Sequence, residues 1–214
     1  MQYRARVLAE AILAAVPEVE TPRKRGPAPG ATREEVLELA RSHWLACRRI
    51  DVQAIAAESG VGRATVYRWF GSREGLIGEA MLGVFEARVS DARAAFPGHG
   101  AKALLDTFDL IYRGLAEAPH IRAFIDRERA TALPLMTSSD GPVHPRLVEI
   151  IRGIIDAEVE RGAYRAPTDT TTLAYVLVRL AEALLFNYAA DDIPKDVERL
   201  REVFAGLLGA GSSR

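Results

Sequence analysis

The sequence predicts an all-α protein, and two observations support this fold class. Its 214 residues contain no long stretch in which apolar and polar residues alternate, as they would in a half-buried strand. Apolar residues instead recur at helical spacing in successive segments, and short breaks rich in Pro and Gly separate these segments. A chain of this length can bury a sizeable core in one or two domains.

The segment Asp51–Leu76 predicts two short helices joined by a tight turn, with a third helix close behind. The first, Val52–Ser59, ends at Gly60, which can adopt the left-handed conformation that terminates a helix. The second, Arg63–Phe70, has an apolar side, Val66 and Phe70. Its other side carries Arg63, Thr65, Tyr67, Arg68 and Trp69. So short a helix cannot bury all of these groups, and a helix-turn-helix places such a helix in the DNA major groove.

The same segment, GVGRATVYRWFGSREGL, resembles the signature of the tetracycline-repressor (TetR) family of bacterial transcription regulators. The family pattern is a Gly-Val turn, a recognition helix ending in Tyr-x-x-Phe, and a Lys or Arg before a Leu in the next helix. The matching residues here are Gly60, Val61, Tyr67, Phe70, Arg73 and Leu76. The resemblance covers roughly Thr32–Met81, and the length and helical pattern of the remaining chain fit the family.

Two positions depart from the family pattern. Gly62 stands where the family usually has a Ser that caps the recognition helix, and Asp51 stands where it often has a Thr. Asp51 can cap its helix equally well, but its carboxylate would repel the phosphate that the Thr contacts. The phosphate contact at this position is therefore not expected.

Six residues in and after the recognition helix are predicted to contact DNA. Arg63 and Thr65, near its N-terminus, are expected to meet base edges. Tyr67 and Trp69 are expected to pack on sugar and phosphate, and Arg68 could contact either phosphate or bases. Arg73, at the positive end of the next helix, is expected to contact a phosphate. The alternative is an ordinary surface helix, which the two large aromatic side chains beside arginines make less favourable.

Positive charge is concentrated near this motif. Thr21–Arg73 contains ten Lys and Arg and five acidic residues, although the whole chain has a net charge of −1. Part of the charge lies in Pro17–Ala31, a Pro- and Gly-rich linker that follows a predicted amphipathic helix, Tyr3–Val16. Its basic residues, Arg23, Lys24 and Arg25, form either an arm that enters the DNA minor groove or a solvated linker.

Three regions are predicted: residues 1–31 with the basic arm, 32–78 as the DNA-binding domain, and 79–214 as the effector-binding and dimerisation domain. Thr32 and Glu35 form a predicted capping box at the first helix of the second region. Ser72 caps a long connecting helix, Arg73–Phe96. Five more helices are predicted: Ala101–Glu117, Pro119–Leu133, Pro142–Arg161, Thr168–Ala190 and Pro194–Leu208.

The helix Thr168–Ala190 is apolar nearly all round, which predicts burial against its own domain and against a second copy of the chain. The last helix would complete a four-helix dimer interface with Val197, Leu200, Val203, Phe204 and Leu207. The resemblance also implies homodimers that bind palindromic operators. Arg179 and Glu182 lie inside the apolar run, and they form a buried pair, an intersubunit pair or polar groups of a pocket.

The resemblance implies an effector pocket in the C-terminal domain, whose occupation pivots the connecting helix and separates the two DNA-binding domains. Aromatic residues mixed with a few polar groups suit a mostly apolar small molecule with one polar head. The candidate wall residues are Phe108, Tyr112, Phe124, Arg127, Glu128, Met136, Tyr175, Glu182, Phe186 and Tyr188. At helical spacing, the same residues could instead be simple core.

Catalysis has little support in the sequence, and we predict neither enzymatic activity nor a cofactor. The four histidines are scattered, no Gly-rich phosphate loop occurs, and Gly71–Gly75 resembles a nucleophile elbow only superficially. The single cysteine, Cys47, lies at helical spacing after Ala40 and Trp44 and is predicted to be a buried core thiol. No apolar run could span a membrane, and we expect a cytoplasmic protein.

The predicted function is therefore a sequence-specific transcriptional regulator, a homodimeric repressor that a small effector releases from DNA. Two other classes remain open at this stage. One is a constitutive dimeric DNA-binding or architectural protein without a ligand, which a cavity too small for any ligand would favour. The other is a small all-helical enzyme, which would need a convergent catalytic site that the sequence does not reveal.

Overall fold

The computed structural model describes residues 30–186 and 193–211, and within these ranges the chain forms nine helices and no strand. The prediction of an all-α fold is confirmed. The helices are α1 (Arg33–Leu45), α2 (Val52–Ser59), α3 (Arg63–Phe70), α4 (Arg73–Ala95), α5 (Gly100–Ala116), α6 (Pro119–Thr137), α7 (His144–Glu160), α8 (Thr170–Phe186) and α9 (Ile193–Leu208). The predicted helix Tyr3–Val16 and the basic arm lie outside the described residues.

Short-range hydrogen bonds fix the helix boundaries around the DNA-reading motif. At α1 the predicted capping box is present: the backbone N–H of Glu35 donates to the Thr32 hydroxyl at 3.2 Å, and the Thr32 N–H donates to the Glu35 carboxylate at 2.7 Å. Gly60 ends α2 with φ of 70°, and the Ser72 hydroxyl caps α4 by accepting from Gly75 N–H at 2.9 Å. These sequence predictions are confirmed.

The prediction for Cys47 is wrong. It assumed that the helix containing Ala40 and Trp44 continues, but α1 ends at Leu45. Cys47 follows in a left-handed conformation, with φ of 55°, and its side chain is half-buried. The thiol therefore lies in the loop between α1 and α2 and not in the core.

Helix α6 is longer and less regular than the sequence predicted. It continues through Pro134 to Thr137, whereas the sequence predicted an end at Leu133. Glu128 interrupts it with a non-helical conformation, φ −133° and ψ 39°. The kink places the Glu128 carboxylate toward the loop between α1 and α2, which matters for the site described below.

Two clusters of buried apolar side chains form the core, and α4 contributes to both. One cluster joins α1, α2, α3 and the first half of α4 to α6, and it contains Val36, Ile55, Leu76 and Ile125. The other joins the second half of α4 to α5, α7, α8 and α9. Helix α4 runs unbroken through residue 78, and the DNA-reading helices share their core with α6. The predicted domain boundary after residue 78 therefore stays a prediction.

Helix α9 packs against α5 and α8 through its apolar face. Val197, Leu200 and Phe204 are buried in this packing within a single chain. The prediction that these three residues contact a second copy is therefore wrong. Val203 of the same helix remains 47% exposed. On α8, one side is buried while Val176, Leu180 and Leu184 are only half-buried.

Candidate functional site

The DNA-reading helix α3 is held by its apolar side and presents its polar side to solvent. Val66 and Phe70 are buried in the core with α1 and α4. Arg63 and Arg68 are exposed, Tyr67 is 39% exposed, and Thr65 is half-buried. The helix therefore offers two guanidinium groups and a phenol on one surface, which suits contacts to base edges and phosphates.

Trp69 departs from the expectation of a second exposed aromatic side chain. It is half-buried against the core, and its ring meets Phe70 edge-on with 6.5 Å between the ring centroids. The ring of Phe70, which Trp69 contacts, also lies 4.7 Å from the Arg33 guanidinium. Only the remaining edge of Trp69 could meet a sugar or phosphate.

Arg73, predicted to contact a phosphate, is engaged inside the chain. Its Nε donates to the Ile50 carbonyl at 2.7 Å, and its terminal nitrogen lies 2.8 Å from the Glu128 carboxylate. Arg49 approaches the same carboxylate at 3.4 Å, and Arg127 donates to the Cys47 carbonyl at 2.6 Å. We call this set of contacts the α6 kink cluster. A contact between Arg73 and DNA would have to compete with these bonds.

The two departures from the family pattern have clear local consequences. The backbone N–H of Ala54 donates to the Asp51 carboxylate at 2.9 Å and holds the pKa of that carboxyl below its usual range. Asp51 therefore stays negatively charged, consistent with its expected repulsion of phosphate. Gly62 gives α3 no side-chain cap, so the N–H groups of its first turn remain without that partner.

A largely apolar cavity lies between α1, α4 and the helices that follow. The space between its walls that no atom occupies is about 960 Å³, a figure that includes open solvent. Most of its wall is aliphatic and aromatic, and the side chains that bring a charge or an imidazole are Arg88, His120 and Glu182. The apolar wall residues include Trp44, Met81, Phe85, Phe108, Ile111, Leu115, Met136, Leu147, Leu177, Leu185 and Phe204.

The structure brings only some of the predicted effector residues to this cavity. Phe108, Tyr112, Met136 and Glu182 line it. Phe124, Arg127 and Glu128 line a smaller cavity beside the α1–α2 loop instead. Tyr175 has 44% of its surface exposed, and Phe186 is half-buried against the core. Tyr188 lies outside the described residues. Helical spacing could not distinguish the cavity-lining residues from the others, because the packing of neighbouring helices decides which side chains meet.

Arg179 and Glu182 form an ion pair of 3.0 Å within α8. The Glu182 carboxylate is buried and also lies 2.7 Å from His144 Nδ1. Arg179 donates further to the Thr137 carbonyl at 2.5 Å and to the Ser139 hydroxyl at 2.8 Å. These bonds join α8 to α7 and to the segment between α6 and α7, at one edge of the cavity. Glu182 is thus both a structural partner and a wall residue.

Most wall residues were not predicted from the sequence, and three of these carry a ring or a charge that bears on the chemistry of the cavity: Trp44, Arg88 and His120. Trp44 belongs to α1 and contacts His120 and Phe124 edge-on, with centroid distances of 5.7 and 4.9 Å. Burial lowers the pKa of His120 to about 4, and the positive charge of Arg88 contributes to this lowering. His120 is therefore a neutral imidazole at physiological pH. Arg88 could have been noticed, because it continues the apolar stripe of Met81 and Phe85 on α4.

His120 predicts a pH dependence of stability. Its pKa in the folded chain is about 4, against 6.5 for an ordinary histidine, so between these values only the unfolded state binds the proton. The free energy of unfolding should therefore fall on acidification through this window, by about 3 kcal/mol near pH 4. Urea unfolding at pH 7 and pH 4 measures this change. The free energy of unfolding should fall less between the two pH values in His120→Gln than in the unsubstituted protein. Equal falls would mean that the folded imidazole titrates normally.

Two family models match this chain. Residues 99–209 match the description "Tetracyclin repressor-like, C-terminal domain", and residues 48–80 match "Bacterial regulatory proteins, tetR family". The chain belongs to the TetR family of bacterial regulatory proteins, as its recognition helix indicated. The prediction of a DNA-binding transcriptional regulator is confirmed at this level. No curated protein sequence matches the chain.

Solved structures of family members share this fold. The transcriptional repressor QsdR of R. erythropolis is 26% identical, with a TM-score of 0.74 over 85% of this chain and 96% of QsdR. AlkX of Dietzia sp. is 21% identical, with a TM-score of 0.62 over 86% of this chain and 98% of AlkX. FadR of Thermus thermophilus, in complex with lauroyl-CoA, is 20% identical, with a TM-score of 0.54 over 85% and 96%. The last two similarities concern the fold alone.

Neither a metal centre nor a membrane span is found in the described part of the chain. In residues 30–186 and 193–211, no group of three or more His, Cys, Asp and Glu side chains is placed to hold a metal ion. No helix in these ranges is both long and apolar enough to cross a membrane.

Proposed function

We propose that the chain is a homodimeric repressor that binds a two-fold operator through α3 and leaves it when a small, mostly apolar effector occupies the cavity. The observation that carries this proposal is the composition of the cavity wall. Trp44 comes from α1, a helix of the DNA-reading domain, and Met81 from α4, which begins in that domain, so a ligand in the cavity contacts both helices directly. Similarity to the QsdR repressor supports the direction of regulation.

The mechanism follows from this shared wall. Two recognition helices must lie about 34–36 Å apart to enter successive major grooves on one face of DNA. The first half of α4 packs with α1 and α3, and its middle part, from Met81 to Arg88, lines the cavity. A ligand that binds better when α4 is displaced lowers the population with this spacing and hence the affinity for the operator.

The proposed dimer would use the surface of α8 and α9 that the single chain leaves uncovered. Val176, Leu180 and Leu184 repeat every four residues on α8 and are half-buried, and Val203 on α9 is exposed. An apolar stripe on two adjacent helices suits pairing with its own copy about a two-fold axis.

The test is selection of bound sequences from a random DNA duplex pool at physiological salt, using the purified full chain. Enrichment of a palindrome with half-sites about one helical turn apart supports the proposal. That palindrome then serves as the probe for release by candidate effectors. Weak, salt-sensitive binding without enrichment, repeated after the protein is unfolded and refolded to remove any bound ligand, would contradict it.

The basic arm is proposed to add minor-groove contacts. Replacing Arg23, Lys24 and Arg25 with serine should weaken operator binding and reduce the slope of log K against log salt, by about 0.9 for each phosphate that the arm neutralises. The substitution preserves linker length, which deletion of residues 22–27 does not. Fluorescence anisotropy over a salt series measures both quantities. Unchanged affinity and slope would identify the segment as a plain linker.

Of the other two classes, the architectural protein without a ligand is disfavoured by the apolar wall of the cavity and its few polar groups. It would be favoured if no compound altered operator binding. Enzymatic activity has no candidate site in the described residues beyond the groups already assigned, and the proposal includes none. A cytoplasmic location and the absence of a cofactor remain predictions.

A further inference from the structure

Arg88 is a cation in the wall of an otherwise largely apolar cavity. It is half-buried on α4, on the same stripe as Met81 and Phe85. Among residues 30–186 and 193–211, no carboxylate lies within ion-pair distance of its guanidinium, and no hydrogen bond from it is formed. A half-buried guanidinium gains from a counter-charge, and the described residues supply none to Arg88.

The other half-buried arginines near the core show what is usual in this chain. Each of six holds a carboxylate at 2.6 to 3.1 Å: Arg33, Arg41, Arg73, Arg113, Arg179 and Arg201. Among the described residues Arg88 departs from this pattern, although it lines the largely apolar cavity. An anionic ligand in the cavity would supply the partner that none of the described carboxylates provides.

The fold makes room for this guanidinium on the facing helix. A Cβ built on Gly114 of α5 would lie 2.5 Å from an Arg88 terminal nitrogen and 3.3 Å from its Cδ. Any side chain at residue 114 would thus displace Arg88 from its present position. Glycine inside a helix lowers the stability of that helix relative to alanine. At residue 114 it leaves the space in which Arg88 lies across α5.

The neighbouring polar groups leave Arg88 as the only uncompensated charge in the described wall. Glu182, the one acidic wall residue, already accepts from Arg179 and His144. His120, which lies close enough to feel the charge of Arg88, is neutral and can donate one hydrogen bond. The wall therefore combines apolar surface with one cation that no described residue neutralises, Arg88, and with the neutral imidazole of His120.

We propose that the effector of this regulator is an amphipathic anion, with an apolar body in the cavity and a carboxylate or phosphate head on Arg88. This inference rests on the proposed function and adds the chemical class of the effector. A charge-assisted bond to a carboxylate or phosphate is among the stronger polar interactions, and an apolar surrounding strengthens it. The neutral His120 can donate a second hydrogen bond to the same head.

The test uses three matched series of straight-chain probes with about six to sixteen carbons: carboxylates, primary alcohols and primary ammonium ions. Isothermal titration of the full chain measures binding. We expect the best carboxylate to bind at least about tenfold more tightly than the alcohol and ammonium ion of equal length. Alkyl phosphates of that length then distinguish a carboxylate head from a phosphate head. Failure of every carboxylate and phosphate to bind would overturn the inference.

Two substitutions assign the selectivity to Arg88. Arg88→Met should remove the preference for carboxylate over alcohol while retaining binding of the alcohol. Gly114→Ala should weaken carboxylate binding by displacing the guanidinium, and it favours helix formation, so it remains informative if Arg88→Met fails to fold. The controls are Arg152→Met, an exposed arginine on α7, and Gly153→Ala, where a Cβ meets nothing within 4 Å. An unchanged preference in both Arg88→Met and Gly114→Ala would refute the assignment.

Operator binding is measured separately on the palindrome from the duplex selection. If the protein binds that palindrome and alcohols release it as well as carboxylates do, the proposed function stands and the anionic class is wrong. If no specific DNA is bound but carboxylates bind with the expected preference, the proposed function fails while the ligand class stands.

Discussion

Replacing Glu128 with alanine is expected to lower the free energy of unfolding by about 2 kcal/mol, because it removes the anion of the α6 kink cluster. The side chain of Glu128 is 11% exposed and that of its partner Arg73 is 18% exposed. Removing one member of a fully buried pair costs about 3–5 kcal/mol, and we reduce that figure because water reaches both groups. Urea unfolding at pH 7 measures the change.

The matched control is Glu149→Ala on α7. Glu149 also pairs with an arginine, at 3.0 Å, but both groups are more than half exposed. A change within about 0.5 kcal/mol is expected there. Equal losses in the two variants would show that the kink cluster contributes no more than a surface ion pair.

The same substitution should also weaken communication between the cavity and DNA. Glu128 connects the kink of α6 to Arg73, the first residue of α4, and to Arg49 in the loop that precedes α2. We therefore expect the ratio of operator affinities with and without effector to shrink in Glu128→Ala. An undiminished ratio would mean that coupling runs through the α1 and α4 wall residues alone.

Replacing both Arg63 and Arg68 with alanine should weaken operator binding by at least about 100-fold, because each such contact contributes about 1–3 kcal/mol. Both side chains are exposed on α3, so the free energy of unfolding should change by less than about 0.5 kcal/mol. Fluorescence anisotropy with the selected palindrome measures the affinity. The double variant Arg129→Ala with Arg152→Ala, on α6 and α7, removes equal charge away from α3.

Single variants then separate the two roles. If Arg68 holds a phosphate, Arg68→Ala lowers affinity for all sequences and reduces the salt slope by about 1. If it meets a base, the variant relaxes the preference at one position of the half-site. Unchanged affinity would remove Arg68 from the DNA contacts.

Local chemistry explains why the DNA-reading motif was predictable. Thr32 with Glu35, Gly60 and Ser72 each act within three or four residues of the chain, so their roles follow from sequence spacing alone. The buried pair Val66 and Phe70 likewise follows from helical periodicity. Where the prediction failed nearby, at Cys47, it had extended a helix past its true end at Leu45.

The cavity depended on contacts that periodicity does not encode. The helical pattern indicated that Phe108 and Phe124 are both inward-facing, yet only Phe108 lines the cavity, because Phe124 packs against Trp44 at the smaller cavity beside the α1–α2 loop. Arg73 was expected at a phosphate, but the kink at Glu128 brings a carboxylate to it. Such kinks and partners are set by several helices at once.

The sequence by itself determined the all-α fold, the recognition helix and the family, because capping, turn residues and helical periodicity are local. Only the tertiary structure decided which side chains enclose the cavity and which charges in the described wall remain without a partner. Arg88 illustrates the difference: its place on the inner stripe of α4 is visible in the sequence, but its electrostatic environment depends on Gly114 of α5 and His120 of α6. Distances between helices, and not spacing within them, set that environment.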